Sequence, residues 1–283
     1  MTLISTVRTV ANLRDRVKAW RDDGAVVALV PTMGALHDGH LSLIHLAKTK
    51  ADRVVASVFV NPMQFAPTED LSIYPRDEAT DAALLAAEGC DLLFAPSVQA
   101  MYGPGFATTI TVAAETDVME GAVRPTHFAG VATVVAKLLI QASPDVAVFG
   151  EKDYQQLHVI RRLTADLDLP VTILPAPIAR AGDGLALSSR NAYLTPHQRQ
   201  IAPALHLTLQ ATARALRDGA AVSTAETEGV NRLMDAGFDA VDYLQVRASD
   251  NLARRGPGRL DGAARILAVA RLGATRLLDN IAV

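Results

Sequence analysis

The chain has little cysteine, few aromatic residues and no excess charge of either sign, and these shortages exclude several classes of protein. Cys90 is the only cysteine in 283 residues, which excludes an intrachain disulfide and a CxxC metal or redox pair. Lys and Arg number 27 and Asp and Glu 30, for a net charge of −3. That balance supplies no general attraction to nucleic acid or to an anionic membrane.

A long hydrophobic run is also missing near the N-terminus, where Arg8, Arg14 and Arg16 interrupt the apolar residues. We therefore expect no signal peptide, no membrane span and a cytoplasmic location. A reducing compartment suits Cys90, which we expect to be a small core residue and not a nucleophile. Hydrophobic residues at 50% and charged residues at 20% predict a globular chain with one large domain or two.

The first part of the chain alternates short β-branched runs with helical patterns. The runs are continuous in apolar character, which is typical of strands buried on both faces of a parallel sheet. A helical pattern from Val10 to Trp20 is closed by Gly24, a residue favoured just after a helix C-terminus. These patterns predict a doubly wound, Rossmann-like α/β domain over residues 1–180. The predicted strands cover residues 25–30, 53–60, 92–95, 145–149 and 171–174.

The pattern changes after a Gly- and Ser-containing loop at residues 181–191. Long Ala- and Leu-rich helices are predicted over 195–218 and 223–236, and strands over 241–247 and 265–271. The sequence therefore predicts a second, smaller α+β domain over residues 181–283.

The most informative segment follows the predicted strand at 25–30 and reads PTMGALHDGH from Pro31 to His40. A helix that begins at the carboxyl edge of a parallel sheet directs backbone N–H groups and its positive dipole end at an anion. Gly34 and Gly39 permit tight turns, and His37 and His40 can donate hydrogen bonds to phosphate oxygens. The segment predicts a phosphate site. The alternatives are surface histidines at a helix start, or a metal pair for which no third ligand has an evident spacing.

Four further polar clusters fall near the predicted strand ends or in loops. NPMQF at 61–65 follows the second predicted strand, and GEKD at 150–153, with Gln155 and Gln156, follows the fourth. LSSRN at 187–191 has hydroxyls and a guanidinium suited to polyphosphate, although alone it is equally consistent with a capped loop. Arg124 and His127 precede a helical pattern, where they either hold a carboxylate or phosphate or only cap the helix.

Together these motifs carry a family resemblance. PTMGALHDGH, NPMQF, YPRD, RPTHF, GEKDYQQL and LSSRNAYL occur in the order typical of the pantoate-β-alanine ligase family, which the chain resembles over about residues 25–195. The HxGH element alone would indicate only the wider nucleotidyltransferase superfamily. Departures are small: Leu187 stands where many members have Met, and Thr126 and Ala129 vary within their element.

The resemblance implies that ATP and pantoate form pantoyl adenylate and pyrophosphate, and that β-alanine then attacks to give pantothenate and AMP. It also implies Mg²⁺ and a homodimer, with no metal ligand assigned in the protein. His40 would be the proton donor, with His37 and Lys152 also catalytic. Gln64 and Gln156 would bind pantoate, with Gln64 also near β-alanine, and Ala179 would meet the nucleotide through its backbone. The ATP-binding residues implied are Met33, Gly34, Ala35, Leu36, His37, Asp38, Gly39, His40, Gly150, Glu151, Lys152, Asp153, Ala179, Leu187, Ser188, Ser189 and Arg190.

The chemistry of these residues suits that reaction. A carboxylate is ionised near neutral pH, so its attack on phosphorus needs alignment and charge neutralisation but no general base. Glutamine both donates and accepts, which matches a hydroxy acid without adding charge. Two alternatives stay open: a different adenylyl- or cytidylyltransferase, which would not need Gln64 and Gln156, and a non-catalytic nucleotide-binding module.

Overall fold

The structure is a computed structural model that describes residues 4–67, 69–113 and 116–283. The chain divides into two compact units. Unit 1 comprises Met1–Glu151 and Gln155–Pro177, and unit 2 comprises Lys152–Tyr154 and Ile178–Val283. Within the described residues, none of the helices is both long and apolar enough to cross a membrane.

Unit 1 is built on a six-stranded parallel sheet flanked by helices, and short 3-10 turns at Pro62–Gln64 and Asp70–Ser72 interrupt its loops. A further 3-10 turn, Glu151–Asp153, begins in unit 1 and ends in unit 2. The strands are β1 (Ser5–Val7), β2 (Val27–Thr32), β3 (Arg53–Val58), β4 (Leu92–Phe94), β5 (Val146–Gly150) and β6 (Thr172–Ala176). The helices are α1 (Val10–Asp22), α2 (Asp38–Lys48), α3 (Glu78–Ala87), α4 (Val98–Met101), α5 (Glu120–Val123), α6 (His127–Ala142) and α7 (Tyr154–Asp166).

The strand order of this sheet is β1-β4-β3-β2-β5-β6, and every pairing is parallel. From β2 the chain builds outward through β3 and β4 and then returns to place β5 on the other side of β2. The order therefore reverses between β2 and β5, and in such sheets ligands bind outside the carboxyl ends of the strands at this switch point. The predicted doubly wound α/β fold is confirmed.

Buried side chains on both faces of the central strands explain why these runs form a parallel sheet. Ala28 and Val30 of β2 belong to an apolar cluster with Leu43 and Ile44 of α2 and Leu85 of α3. The opposite face is covered by α1 and α6, most of whose inner residues are buried. Strands covered on both faces carry continuous apolar runs, as the sequence predicted.

Unit 2 has an antiparallel sheet of order β7-β8-β9 packed with helices, and a 3-10 turn at Ser189–Tyr193. Its strands are β7 (Ala240–Ala248), β8 (Ala264–Leu272) and β9 (Thr275–Ala282), and its helices are α8 (Pro196–Ile201), α9 (Ala204–Arg217) and α10 (Val222–Asp235). The predicted smaller α+β fold of the C-terminal part is confirmed.

Three details differ from the sequence predictions. The helix predicted over 195–218 is two helices, because Pro203 has no N–H to continue the ladder and stands as the N-cap of α9. Strand β1 was not predicted, since three residues are too short for a clear pattern. Strand β9 was also not predicted, because Asp279 and Asn280 interrupt its apolar alternation although both are buried.

Cys90 is a buried core residue, as predicted. Burial raises the pKa of its thiol to about 11, so the thiolate is scarce near neutral pH.

A buried ion pair ties the start of the long loop of unit 2 to its sheet. Arg180 donates from Nη1 to Asp279 Oδ2 at 2.7 Å and from Nη2 to Asp279 Oδ1 at 2.9 Å. The Asp279 side chain is 2% exposed, and His206 Nδ1 lies 3.6 Å from Oδ2. Burial alone would raise the pKa of Asp279, but the nearby His206 ring and the hydrogen bonds and charge of Arg180 outweigh it and lower the pKa.

Asp279→Asn is expected to lower the free energy of unfolding by about 3 kcal/mol near neutral pH, because it leaves Arg180 without its buried counter-charge. A lowered carboxyl pKa contributes stability above the unfolded value of about 3.9, and this contribution is lost as pH falls through the folded value. The difference between wild type and variant, measured by urea unfolding, should therefore be largest above pH ~5 and shrink in more acidic solution.

Asp183→Asn is the matched control, because Asp183 pairs with Arg199 at 2.6 Å in the same unit while both side chains are well exposed. Its cost should be below about 1 kcal/mol. Equal losses from the two variants would contradict the importance of the buried pair.

Candidate active site at the carboxyl edge of the sheet

The loop after β2 forms the first part of the candidate site. It connects the carboxyl end of β2 at Thr32 to α2, which begins at Asp38 with His37 as its N-cap. The His37 ring nitrogen Nδ1 accepts a hydrogen bond from the Gly39 amide at 3.1 Å. Since a neutral imidazole has one acceptor and one donor, the proton of the neutral His37 ring lies on Nε2. The helix start therefore combines an imidazole donor with a positive dipole end.

The two histidine rings of this loop lie next to each other. Their centroids are 4.2 Å apart and the planes are inclined by 41°. This proximity places His37 and His40 on the same side of the first turn of α2, as the phosphate-site prediction requires.

A buried carboxylate holds the loop after β2 in place. Asp81 of α3 accepts the Ala35 amide at 3.0 Å and the Leu36 amide at 2.8 Å. Burial raises the Asp81 pKa, and the two backbone hydrogen bonds act against that rise. Ala35 has a φ of 51° and Gly34 a φ of 80°, both in the left-handed region. The carboxylate thus stabilises a backbone path that a non-glycine residue rarely adopts.

The sequence reading missed Asp81. The signal available was an aspartate directly before the apolar run AALLAA of the helical segment EATDAALLAA, at a position that turns out to be 2% exposed. A buried charge in a helix calls for a partner. Nothing in the local pattern showed that this partner would be the loop some 45 residues earlier.

The turn after β3 brings Gln64 beside the loop after β2. Pro62–Gln64 is a 3-10 turn whose N-cap, Asn61, accepts the Met63 amide at 3.2 Å. Gln64 is 8% exposed, and its Nε2 lies 3.1 Å from the Met33 sulfur. Gln64, expected to bind pantoate, is thus in contact with the first residue expected to bind ATP.

Arg124 and His127 both contact the turn at Pro62–Gln64. Arg124 pairs with Glu69, with Nε donating at 2.7 Å, and donates from Nη2 to the Gln64 carbonyl at 3.3 Å. His127 Nδ1 lies 3.0 Å from that carbonyl oxygen. Thr126 is the N-cap of α6 and makes no side-chain cap, so neither residue caps the helix as one alternative held.

Burial and then the charge of Arg124 lower the pKa of His127 to about 4. The ring is therefore neutral near pH 7 and donates through Nδ1–H to the Gln64 carbonyl. The carboxylate that Arg124 holds is the protein's own Glu69, whose pKa is lowered because the hydrogen bond and charge of Arg124 outweigh its burial.

The segment after β5 lies at the switch point. Gly150 ends β5, Glu151 follows it, and Gln156 lies in the first turn of α7. The neighbouring Gln155 is 4% exposed and bonds to backbone, accepting the Glu120 amide and donating to the Val118 carbonyl. Of the two adjacent glutamines, Gln155 is therefore structural, which leaves Gln156 as the residue suited to a ligand.

Lys152 belongs to unit 2, where residues of its sheet hold the backbone around it. The Lys152 carbonyl accepts from Asn280 Nδ2 at 2.8 Å. The guanidinium of Arg265 lies 3.9 Å from the centroid of the Tyr154 ring, and the Tyr154 hydroxyl donates to the Ser249 carbonyl at 2.8 Å. Lys152 Nζ is 3.7 Å from the Asp153 carboxylate.

The remaining predicted ATP residues also lie in unit 2. The Leu187 amide donates to the Ala179 carbonyl at 2.9 Å, so these two expected nucleotide contacts are adjacent. Ser188 is the N-cap of the following 3-10 turn, and its hydroxyl oxygen accepts the Arg190 amide at 3.3 Å. This cap aligns Ser188, Ser189 and Arg190 in one turn.

The structure therefore divides the predicted site residues between the units. Unit 1 brings the loops after β2, β3 and β5 to one edge of its sheet, since parallel strands end on the same side. Unit 1 contains Met33 to His40, Gln64, Gly150, Glu151 and Gln156, and unit 2 contains Lys152, Asp153, Ala179, Leu187, Ser188, Ser189 and Arg190.

The chemistry of these groups is that of hydrogen-bond donors and cations. Imidazole, ammonium, guanidinium, hydroxyl and backbone N–H groups all favour phosphate or carboxylate oxygens. Among the residues that the structure describes, no group of three or more His, Cys, Asp or Glu side chains is arranged to hold a metal ion.

Comparison with known proteins identifies relatives along the whole chain. The family model described as pantoate-beta-alanine ligase matches residues 5–282. A protein named pantothenate synthetase from Caulobacter vibrioides is 57% identical over 284 residues, covering 100% of both chains.

Solved structures agree. The pantothenate synthetase of Thermus thermophilus is 46% identical with a TM-score of 0.90, covering 98% of this chain and 99% of that one. The pantoate-beta-alanine ligase of Francisella tularensis, complexed with beta-gamma ATP and beta-alanine, is 32% identical with a TM-score of 0.83, covering 98% of this chain and 97% of that one.

Gly34→Ala is expected to weaken ATP binding. A Cβ at this position would lie 2.8 Å from the Asp81 Oδ2, and the φ of 80° adds strain. A displacement of the loop that costs about 1.4 kcal/mol of binding weakens affinity about tenfold, measurable by calorimetric titration with ATP.

Gly24→Ala is the matched control, because Gly24 has a φ of 81° but no atom within 4 Å of the added Cβ. It should lower the free energy of unfolding by about 1 kcal/mol and leave ATP affinity unchanged. Equal ATP affinity in the two variants would contradict the role of the Asp81-held loop.

Proposed function

Since this chain belongs to the pantoate-beta-alanine ligase family, we propose that its switch-point loops and the Lys152 and Ser188 turns carry out the two chemical steps of that reaction. The enzyme joins pantoate to β-alanine with consumption of ATP. Membership of the family excludes both alternatives considered from the sequence, another nucleotidyltransferase and a non-catalytic module.

One observation carries the assignment of residues. Gln64 Nε2 lies 3.1 Å from the sulfur of Met33, so the turn suited to a hydroxy acid touches the loop suited to a nucleotide. A carboxylate held at Gln64 and Gln156 would lie next to phosphates held at the start of α2. Such proximity is what an attack of carboxylate on phosphorus requires.

In the first step, the pantoate carboxylate attacks the α-phosphorus of ATP, the bond to the bridging oxygen breaks, and pyrophosphate leaves. His37 and His40 would donate to phosphate oxygens at the dipole end of α2. The loop from Met33 to Gly39 would line the nucleotide, with its backbone held in shape by Asp81. Lys152 and Arg190 would supply positive charge, and Ser188 and Ser189 hydroxyl donors. Gly150, Glu151 and Asp153 would bind the nucleoside part with Ala179 and Leu187.

In the second step, the amine of β-alanine attacks the carbonyl carbon of pantoyl adenylate, and AMP leaves. No enzyme nucleophile takes part in this scheme. Gln64 and Gln156 would keep the acyl group in place between the steps, because amides hold oxygen groups without adding charge.

We propose Mg²⁺ as a companion of ATP, with no protein ligand assigned to it. It prefers phosphate oxygens and keeps several of its waters. Bound to ATP, Mg²⁺ would neutralise part of the phosphate charge.

We also propose a homodimer in the cytoplasm that binds neither nucleic acid nor membrane. A cytoplasmic location suits the buried, reduced thiol of Cys90. We further propose that residues 1–180 form a nucleotide- and pantoate-binding domain and that residues 181–283 form a smaller lid domain.

Isotope exchange tests the two-step scheme. If pantoyl adenylate forms first, labelled pyrophosphate should exchange into ATP when pantoate is present and β-alanine absent. Pantoate labelled with ¹⁸O in its carboxylate should transfer one labelled oxygen to AMP in full turnover. Exchange that depends strictly on β-alanine, or AMP without label, would reject the adenylate.

His40→Ala should lower kcat more than it raises KM for ATP, because a donor at the helix start gains strength as charge shifts during attack. The expected loss in kcat is on the order of 10² to 10³. His45→Ala is the matched control, since His45 is an exposed histidine in the last turn of the same helix. Turnover of the His40 variant within about twofold of the control would remove His40 from the catalytic groups.

A further inference from the structure

The orientation of the Gln64 side-chain amide can be derived from backbone groups. The Asn61 side chain bonds to two backbone groups: its Oδ1 accepts the Met63 amide at 3.2 Å, and its Nδ2 donates to the Gly130 carbonyl at 3.1 Å. A backbone N–H can only donate and a backbone carbonyl can only accept. Rotating the Asn61 amide by half a turn would therefore break both hydrogen bonds, which fixes the positions of Oδ1 and Nδ2.

The fixed Asn61 amide determines which way the Gln64 side-chain amide is turned. Asn61 Nδ2 also lies 3.1 Å from the Gln64 side chain, and because Nδ2 is a donor, the Gln64 atom that faces it must be the acceptor Oε1. The other atom of the Gln64 amide, the donor Nε2, consequently faces Met33. Asn61 is 1% exposed, so a reversed amide would bury two N–H groups against each other.

Tyr102 adds a further hydrogen bond that holds the Asn61 amide in this orientation. Its hydroxyl lies 2.7 Å from Asn61 Oδ1, and since Oδ1 is an acceptor, the hydroxyl is the donor. Burial raises the Tyr102 pKa, so the hydroxyl keeps its proton.

The backbone of Gln64 is fixed as well. Its carbonyl accepts from Arg124 and His127, and a Cβ on Gly130 would lie only 2.3 Å from the Met63 carbonyl oxygen, so α6 packs closely against this turn. With the main chain and the far end of the side chain both held, the Gln64 amide has one preferred orientation.

We propose that Asn61 and Tyr102 are positioning residues which hold the Gln64 amide with its donor Nε2 on the side of Met33, the residue of the nucleotide loop, so that Gln64 meets an oxygen acceptor of pantoate there and not the ammonium of β-alanine. This inference rests on the proposed function, in which Gln64 binds pantoate. It narrows the expectation that Gln64 also lies near β-alanine to the carboxylate end of that substrate, because an N–H donor repels an ammonium group.

Asn61→Asp tests the orientation. The variant keeps the shape but replaces the Nδ2 donor by an oxygen, which repels Gln64 Oε1 and favours the reversed Gln64 amide. We expect KM for pantoate in pyrophosphate exchange to rise about tenfold or more while KM for ATP changes less than about twofold. Asn12→Asp is the control for added charge, since Asn12 is exposed on α1 of the same unit.

Gln64→Ala separates orientation from general damage. Without an amide to orient, adding Asn61→Asp to Gln64→Ala should change KM for pantoate by less than about twofold. If Asn61→Asp instead damaged the enzyme independently of Gln64, it would raise KM for pantoate by the same factor in both backgrounds. If Asn61→Asp does not fold, Tyr102→Phe takes its place in the same cycle, with a rise in KM for pantoate of about threefold expected from one lost hydrogen bond.

The outcomes separate the two proposals. A wild-type enzyme without pantoate-dependent exchange would overturn the proposed adenylate step, and the pantoate-binding role of Gln64 with it. A wild type that exchanges, with an unchanged KM for pantoate in Asn61→Asp or with full additivity in the cycle, would overturn the orientation alone. A rise in KM for β-alanine without one for pantoate would assign Gln64 to the amine substrate.

Discussion

The reversal of strand order between β2 and β5 is the constraint on which the placement of the unit 1 groups depends. Because all six strands are parallel, their carboxyl ends share one edge, and the helices on the two faces diverge where the order reverses. The loops after β2 and β5 therefore leave the same edge of the sheet from neighbouring strands, although they are far apart in the sequence. The buried carboxylate of Asp81 then gives one of these loops its shape.

Acceptors within the protein hold the loops that carry the candidate site residues of unit 1. Asp81 accepts loop amides, Glu69 accepts Arg124, and the Gln64 carbonyl accepts His127. These acceptors are buried or half-buried, where an unpaired polar group is costly. These contacts fix the loop after β2 and the turn at Gln64 in the absence of any substrate, which favours a preorganised site.

Much of the fold could be predicted from sequence, because buried parallel strands carry continuous apolar runs that need no long-range information. The loop after β2 could also be identified as a candidate phosphate site, since Gly34, His37 and His40 lie within one short segment, and its role stays a prediction. Asp81 and the chain from Tyr102 through Asn61 to Gln64 could not, because their partners are set by the packing of α3 and α6 and not by spacing along the chain. Strand β9 was missed for a related reason: Asp279 is buried only because Arg180 meets it.

The single buried thiol has a practical consequence for measuring motion. Cys90 lies in the core with its pKa raised to about 11, so it reacts slowly with thiol reagents while the protein is folded. A cysteine introduced at an exposed position would therefore accept a fluorophore selectively without removal of the native residue. Ile140 on α6 and Leu207 on α9 are 50% and 57% exposed and belong to different units. Labels at these two positions would allow energy transfer to follow the distance between the units during turnover.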